Sequence, residues 1–282
     1  ARVSRTFPSW RAVGGHTWRR VRAVGGYAFP LVVFLVAWEA VSRLRLLNPV
    51  LLPPPSVVAV QMVTLLGAGP SATTSFLLEK NVFASSYRIF FGYAGAAILC
   101  TPLGILMGMH RRAHNFFHPI ISAFLPIPSL ALVPVVILWL GLGDPTVIFI
   151  VFFASIFPII YNTAAGVRSV PSKYLWSAQI MGAGRSAVFF RVLLPAALPY
   201  IIAGQKLALG SSWRALVAAE MLAATDFGLG YMIFQARTFL DTESIYAGII
   251  MIAILGTILE KGLFGYLEHV TVERWGMVRS AS

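Results

Sequence analysis

Charge is scarce in this chain. Only 11% of its 282 residues are Asp, Glu, Lys or Arg, where a soluble domain carries about 25%. That deficit excludes a disordered chain and a water-soluble enzyme core. Cysteine is nearly absent. The single Cys100 excludes an internal disulfide and any thiolate cluster for zinc or iron–sulfur. Acids number ten against twenty-two Lys and Arg, a surplus that in a soluble protein points to nucleic acid. What the chain has in plenty is apolar: 58% of it is hydrophobic and its mean hydropathy is +0.79. Its natural solvent is the lipid bilayer, and its basic residues read as membrane flanks rather than nucleic-acid contacts.

A bilayer core about 30 Å thick takes about 20 apolar residues per helix. Six such stretches are expected, at 25–44, 85–109, 118–141, 146–166, 195–224 and 244–266. Arg2, Arg5, Arg11, Arg19, Arg20 and Arg22 precede the first, with no acid among them. Trp38, Glu39, Arg43 and Arg45 follow it where a signal peptide would offer small residues for cleavage, so it reads as a retained span. With the first residues inside, sixteen Lys and Arg fall on the cytoplasmic side. Five fall outside: Arg43, Arg45, Lys80, Arg88 and Arg237. That asymmetry orients the chain with both termini in the cytoplasm. The expected organisation is a basic segment 1–24, the first span 25–44, and an external linker 45–84. A five-helix core 85–268 and a cytoplasmic tail 269–282 follow. In the linker, Pro53-Pro54-Pro55 leads into a short interfacial helix with Ser56 as its cap. Pro102, Pro126, Pro128, Pro134 and Pro158 interrupt spans in a way that protein-facing membrane helices tolerate. Gly104 and Gly108 form a small-xxx-small pair for close helix packing.

The longest inside loop, 167–194, is the informative one. Ser172 reads as the cap of a helix of about ten residues that Gly182 and Gly184 end, and a second short helix, Ser186 to Leu194, stops before Pro195. The pair makes a knob with Leu175, Ile180, Met181, Val188 and Phe189 free as apolar contacts for a partner's groove.

This loop resembles the signature of permease subunits of binding-protein-dependent ABC importers. That signature is a Glu-Ala-Ala triplet, three residues, Gly, nine residues, Ile, one residue, then Leu-Pro. Here the spacing lands on Trp176-Ser177-Ala178, Gly182, Val192 and Leu194-Pro195, with Trp176 in the place of the acid. Over roughly 50–270 the chain is similar to the nitrate, sulfonate and taurine branch. Leu52-Pro53-Pro54-Pro55-Ser56, Gly141-Leu142-Gly143-Asp144, Val217-Ala218-Ala219-Glu220-Met221 and Gly228-Leu229-Gly230-Tyr231 carry that likeness. The resemblance implies an all-α membrane protein of six transmembrane helices with the type I importer permease fold, in the bacterial cytoplasmic (inner) membrane. It also implies a cytoplasmic coupling helix whose contact residues are Leu175, Trp176, Ser177, Ala178, Gln179, Met181, Gly182, Ala183 and Gly184. The implied partners are a second copy of the chain, two ATP-binding cassette subunits carrying ATP and magnesium, an extracytoplasmic substrate-binding protein and a small anionic substrate. Taurine or an aliphatic sulfonate comes first for the substrate, then nitrate or bicarbonate, then a small heterocycle. The chain shows no P-loop lysine pattern and no Walker acid, so it is read as a transport subunit with no cofactor and no catalytic residue of its own.

Glu39, Arg214 and Glu220 stand at membrane depth, where charges are functional candidates. Arg214 reads either as a contact for an anion, or as the neutraliser of a carboxylate on a neighbouring span or a side chain that snorkels outward. With Ser211, Ser212 and Glu220 it makes up the candidate substrate pathway. Glu220, six residues on and off that helical face, reads as a brace at an interface or an outer gate. His110, His114 and His118 recur every four residues but sit among Arg111, Arg112 and Asn115, which favours a solvated loop over a metal ladder. Two other classes fit worse. An intramembrane enzyme needs a His or Asp deep in a span, and an ion-driven transporter has no use for the knob.

Overall fold

A computed structural model of the protein describes residues 14–45, 47–48, 50–68 and 77–265. Its regular elements are all helical, and no strand occurs among the described residues. The chain divides into two units, 1–61 and 62–282.

In the first unit, α1 (Gly14–Arg43) turns back into α2 (Pro55–Val63). The turn is closed by Trp38 Nε1 donating to the Pro53 carbonyl at 3.1 Å and Ser42 Oγ donating to the Leu52 carbonyl at 2.7 Å. Pro55, not Ser56, begins α2, since a fixed φ and a missing N–H suit the first helical position. The capping acceptor is instead Glu39, which takes bonds from the Ser56 N–H at 3.1 Å and Oγ at 2.8 Å. A carboxylate there also complements the helix dipole.

After a π turn at Thr64–Ala68, the second unit holds α3 (Leu77–Met109), α4 (Arg111–Phe124), α5 (Val133–Leu140) and α6 (Asp144–Ser169). Next come the short α7 (Ser172–Ile180) and α8 (Arg185–Val188), then α9 (Leu194–Ala223) and α10 (Leu229–Thr238). α11 (Thr242–Thr257) is the last α-helix among the described residues, and a π-helix, Ile258–Phe264, continues it. α6 lies at the centre, packed along α3 on one side and α9 on the other. Gly92, Ala96, Cys100, Gly104 and Gly108 recur every four residues on α3 and form the seam. A Cβ at Gly104 would stand 2.7 Å from Thr163 Cβ, and one at Gly108 would stand 2.5 Å from Val167 Cβ. The expected small-residue packing is therefore what brings α3 onto α6. Pro158 withholds the N–H that would bond the Ala154 carbonyl. Ser211 Oγ reaches across from α9 and donates to that carbonyl at 3.1 Å.

Four helices, Leu78–Met109, Asp144–Ser169, Arg185–Ala223 and Thr242–Gly262, are long and apolar enough to cross a bilayer among the described residues. The expected third span, 118–141, is not one helix. α4 and the segment Ser129–Leu140 meet at 80°, and together they make a fifth crossing if taken as one broken span. Pro126 and Pro128 cause the break, because each removes an N–H and forces its predecessor away from helical continuation. The expected first span, 25–44, falls on α1, whose side chains are described from Phe29 onward. The segments 1–13 and 266–282, with the tail, lie outside the described residues.

Two loop expectations are also corrected. His114 and His118 lie on α4, with rings 4.7 Å apart, rather than in a solvated loop. Phe117 and Ile121, one turn apart on the same helix, seat α4 on the core, and Ser122 Oγ lies 2.8 Å from the Tyr161 hydroxyl of α6. Among the described residues no three metal-ligating side chains converge. The second short helix does not stop before Pro195 but runs unbroken from Arg185 to Ala223. A π turn over Phe189–Leu193 makes this possible, with the Leu194 N–H reaching the Phe189 carbonyl five residues back. The wider turn eases the fit of the Pro195 ring, whereas Pro102, Pro158 and Pro199 lie within regular helix.

Candidate functional site

Three places in the second unit hold the residues of interest. The first is α7. Pro171, not Ser172, precedes its first turn. At its other end the Ala183 N–H bonds the Ala178 carbonyl at 3.0 Å and the Gly182 N–H bonds the Gln179 carbonyl at 2.9 Å. That is the Schellman pattern, and it needs the left-handed φ of +83° that Gly182 adopts. Ala178 is buried beneath the helix, and Leu175 packs into a cluster with Val167, Val170, Leu193 and Ala197. Trp176, Ser177, Gln179, Met181, Gly182 and Gly184 are exposed, and Ala183 is half-buried. The expected apolar contacts are thus corrected in part. Leu175, Val188 and Phe189 face the protein's own core, while Ile180 at 87% and Met181 at 81% exposure face outward together with Tyr174, Trp176 and Phe190.

The second place is a buried polar cluster where α3, α6, α9 and the start of α10 meet. Arg88 is 3% exposed. Its Nη1 bonds Glu220 Oε1 at 2.8 Å and the Phe227 carbonyl at 2.6 Å, and its Nε bonds Asp144 Oδ1 at 2.8 Å. Ser85 Oγ donates to the same Glu220 carboxylate at 2.8 Å. Three successive N–H groups at the start of α10 are then met by buried side chains. Gly228 donates to Asn81, Leu229 to Ser85 and Gly230 to Glu220, at 2.8, 2.9 and 3.0 Å. Glu220, fully buried, is a long-range cap for α10 whose charge Arg88 balances. Gly228 at φ +147° leaves the space, since a Cβ there would stand 2.6 Å from Arg88 Nη1 and 2.7 Å from the Glu220 carboxyl carbon. Sequence reasoning placed Arg88 by the sign of its charge. The signal was the spacing of Asn81, Ser85 and Arg88, which aligns three polar groups on one face of an apolar helix.

The third place is the middle of α9. Ser211 and Ser212 direct their hydroxyls at backbone carbonyls, Ser211 at Ala154 and Ala208 and Ser212 at Leu209. Arg214 is exposed and, among the described residues, has no hydrogen-bond or ion-pair partner. It borders a cavity between α9 and the end of α11. The structure therefore separates the candidate pathway residues, leaving Arg214 on the cavity and Glu220 locked in the cluster.

Fold and sites define a multi-pass helical membrane protein that exposes one short apolar-faced helix between two spans. Residues 100–268 match the family described as binding-protein-dependent transport system inner membrane component. The taurine transport system permease protein of Escherichia coli (strain K12) is 39% identical, with 86% of each chain covered. The nitrate import permease protein of Synechocystis sp. (strain ATCC 27184 / PCC 6803 / Kazusa) is 33% identical over 87% of this chain and 88% of that one. A chain of the MetNI methionine ABC transporter in an inward-facing conformation shares the fold, with a TM-score of 0.62, 18% identity, and coverage of 71% of this chain and 99% of that one. The chain belongs to the family of binding-protein-dependent ABC importer permeases.

Proposed function

We propose that two copies of this chain, with both termini in the cytoplasm and six spans each, form a pathway that carries a small anion inward. Taurine or an aliphatic sulfonate is the first choice of substrate, and nitrate or bicarbonate the second. Two ATP-binding cassette subunits supply the energy from the cytoplasmic side, with ATP and magnesium bound there, and an external binding protein delivers the substrate. The observation that carries the reading is Arg214, an unpaired guanidinium within a membrane span that borders a cavity. Unpaired charge at that depth is costly unless it serves a ligand, and a guanidinium holds a sulfonate, nitrate or carboxylate through paired N–H bonds. Relatives named for taurine and for nitrate support an anionic cargo.

In this reading α7 is the coupling helix. Trp176, Ile180 and Met181 enter a groove on the cassette subunit, and the Schellman end at Gly182 keeps α7 stiff enough to transmit its movement. ATP binding and hydrolysis then bias a two-state rocking of the spans, because the cassette contacts α7 differently in each state. The test is ATPase activity of the reconstituted complex titrated with taurine, ethanesulfonate, nitrate and bicarbonate, in wild type and Arg214→Gln. Stimulation by one or more of these solutes that the assembled variant loses is the expected result. An unchanged response in the variant would remove Arg214 from the pathway.

A further inference from the structure

The cavity beside Arg214 measures about 390 Å³. Besides aliphatic side chains, it is lined by Gly210, Trp213, Arg214, Gly256, Thr257 and Glu260. Its size lies within the range of small-molecule sites. The guanidinium folds back along α9, with Nη1 3.7 Å from the point where a Cβ on Gly210, one turn earlier, would stand. Helical side chains lean toward the N-terminus in this way. Trp213 forms a fixed wall, because Gly256 of α11 sits directly on its ring, a Cβ there meeting Nε1 at 2.7 Å.

Two opposite charges thus border one cavity without meeting each other. Among the described residues neither Arg214 nor Glu260 has an ion-pair or hydrogen-bond partner, and the Trp213 indole N–H has none either. A simple anion at Arg214 would leave the Glu260 carboxylate on the same cavity without a counter-charge. A ligand carrying an anionic group at one end and an ammonium at the other satisfies both, with its short apolar link against the indole face.

We infer that this cavity binds a small zwitterion, an amino sulfonate or amino acid, with Arg214 holding the anionic head and Glu260 holding the ammonium. Glu260 is then the residue that selects a zwitterion over a simple anion. The inference rests on the importer reading only in placing the cavity on the transport pathway.

Binding of labelled taurine is measured on the assembled transporter in nanodiscs, without the binding protein, in competition with ethanesulfonate, which lacks the amine. Wild type binds taurine about tenfold more tightly than ethanesulfonate, the worth of one charge-assisted hydrogen bond. Glu260→Gln loses that preference and leaves ethanesulfonate affinity unchanged, Glu260→Asp keeps part of it, and Arg214→Gln loses both ligands. The inference is overturned if wild type binds the two equally, if it binds no taurine, or if Glu260→Gln leaves the preference intact. It is also overturned if either Gln variant separates the two copies, which would make the groove a subunit interface. Zwitterion-selective binding without ATP-driven uptake would defeat the importer reading and leave the site standing.

Discussion

Replacing Arg88 by methionine isolates the physics of the buried cluster. The change keeps much of the side chain's volume and removes the guanidinium, which stands 2.8 Å from Glu220, 2.6 Å from the Phe227 carbonyl and 2.8 Å from Asp144. Glu220, with no exposed surface, is then a buried carboxylate held only by Ser85 and the Gly230 N–H. Removing one partner of a buried ion pair costs about 3–5 kcal/mol. At about 2–4 °C per kcal/mol for a chain of this size, the melting midpoint of the purified complex falls by about 6–20 °C. Glu220→Gln costs less, about 1–3 kcal/mol, because an amide oxygen still accepts from Gly230 and Arg88 retains Asp144 and Phe227. The double variant Arg88→Met/Glu220→Gln then falls short of the sum of the two by about 1 kcal/mol or more, since the second change removes the charge that the first had stranded. Thermal unfolding followed by size-exclusion chromatography reads all four forms. A midpoint for Arg88→Met within about 2 °C of wild type, or strict additivity in the double variant, would refute the reasoning.

Other consequences follow from single contacts. Gly182→Val places a β-branched residue at φ +83°, a strain of about 1–2 kcal/mol. It is expected to loosen the end of α7 and lower substrate-stimulated ATPase activity while basal ATPase of the cassette subunits persists. Trp176→Glu puts a charge on the exposed apolar face of α7, and the expected outcome is loss of cassette-subunit association in pull-downs. Ser211→Ala leaves the carbonyl freed by Pro158 without its donor, which costs about 0.6–1.7 kcal/mol by thermal unfolding with anion response retained. Gly104→Leu drives a side chain into Thr163, 2.7 Å from where its Cβ would stand. Overpacking by about 1–3 kcal/mol or more is expected to appear as lower yield and a lower midpoint.

Much of the fold was legible because its signals are additive along the chain. Apolar length marked the spans, and the glycine pair at 104 and 108 marked a seam that the structure extends to Gly92. The knob in 167–194 was legible at Gly182, whose left-handed φ ends α7. The second helix was misplaced because Pro195 looks like a stop, while the helix continues through a π turn that is invisible in residue spacing. The third span read as continuous because apolar length says nothing of direction, while Pro126 and Pro128 set an 80° bend. The partners of Arg88 were not legible for a different reason. Asp144 and Glu220 lie 56 and 132 residues away, and only the packing of α3 on α6 and α9 brings them together. The place of Glu260 on one cavity with Arg214 appears only once α11 is laid along α9.

The central claim is that this chain moves its cargo only with energy taken from partner ATPases. The most direct test is uptake of labelled taurine, ethanesulfonate and nitrate into proteoliposomes holding this chain with its cassette subunits, with the binding protein outside and ATP sealed inside. Uptake of at least one of these solutes that disappears when ATP, the cassette subunits or the binding protein is left out is the predicted result. Uptake by this chain alone, without ATP, would contradict the account.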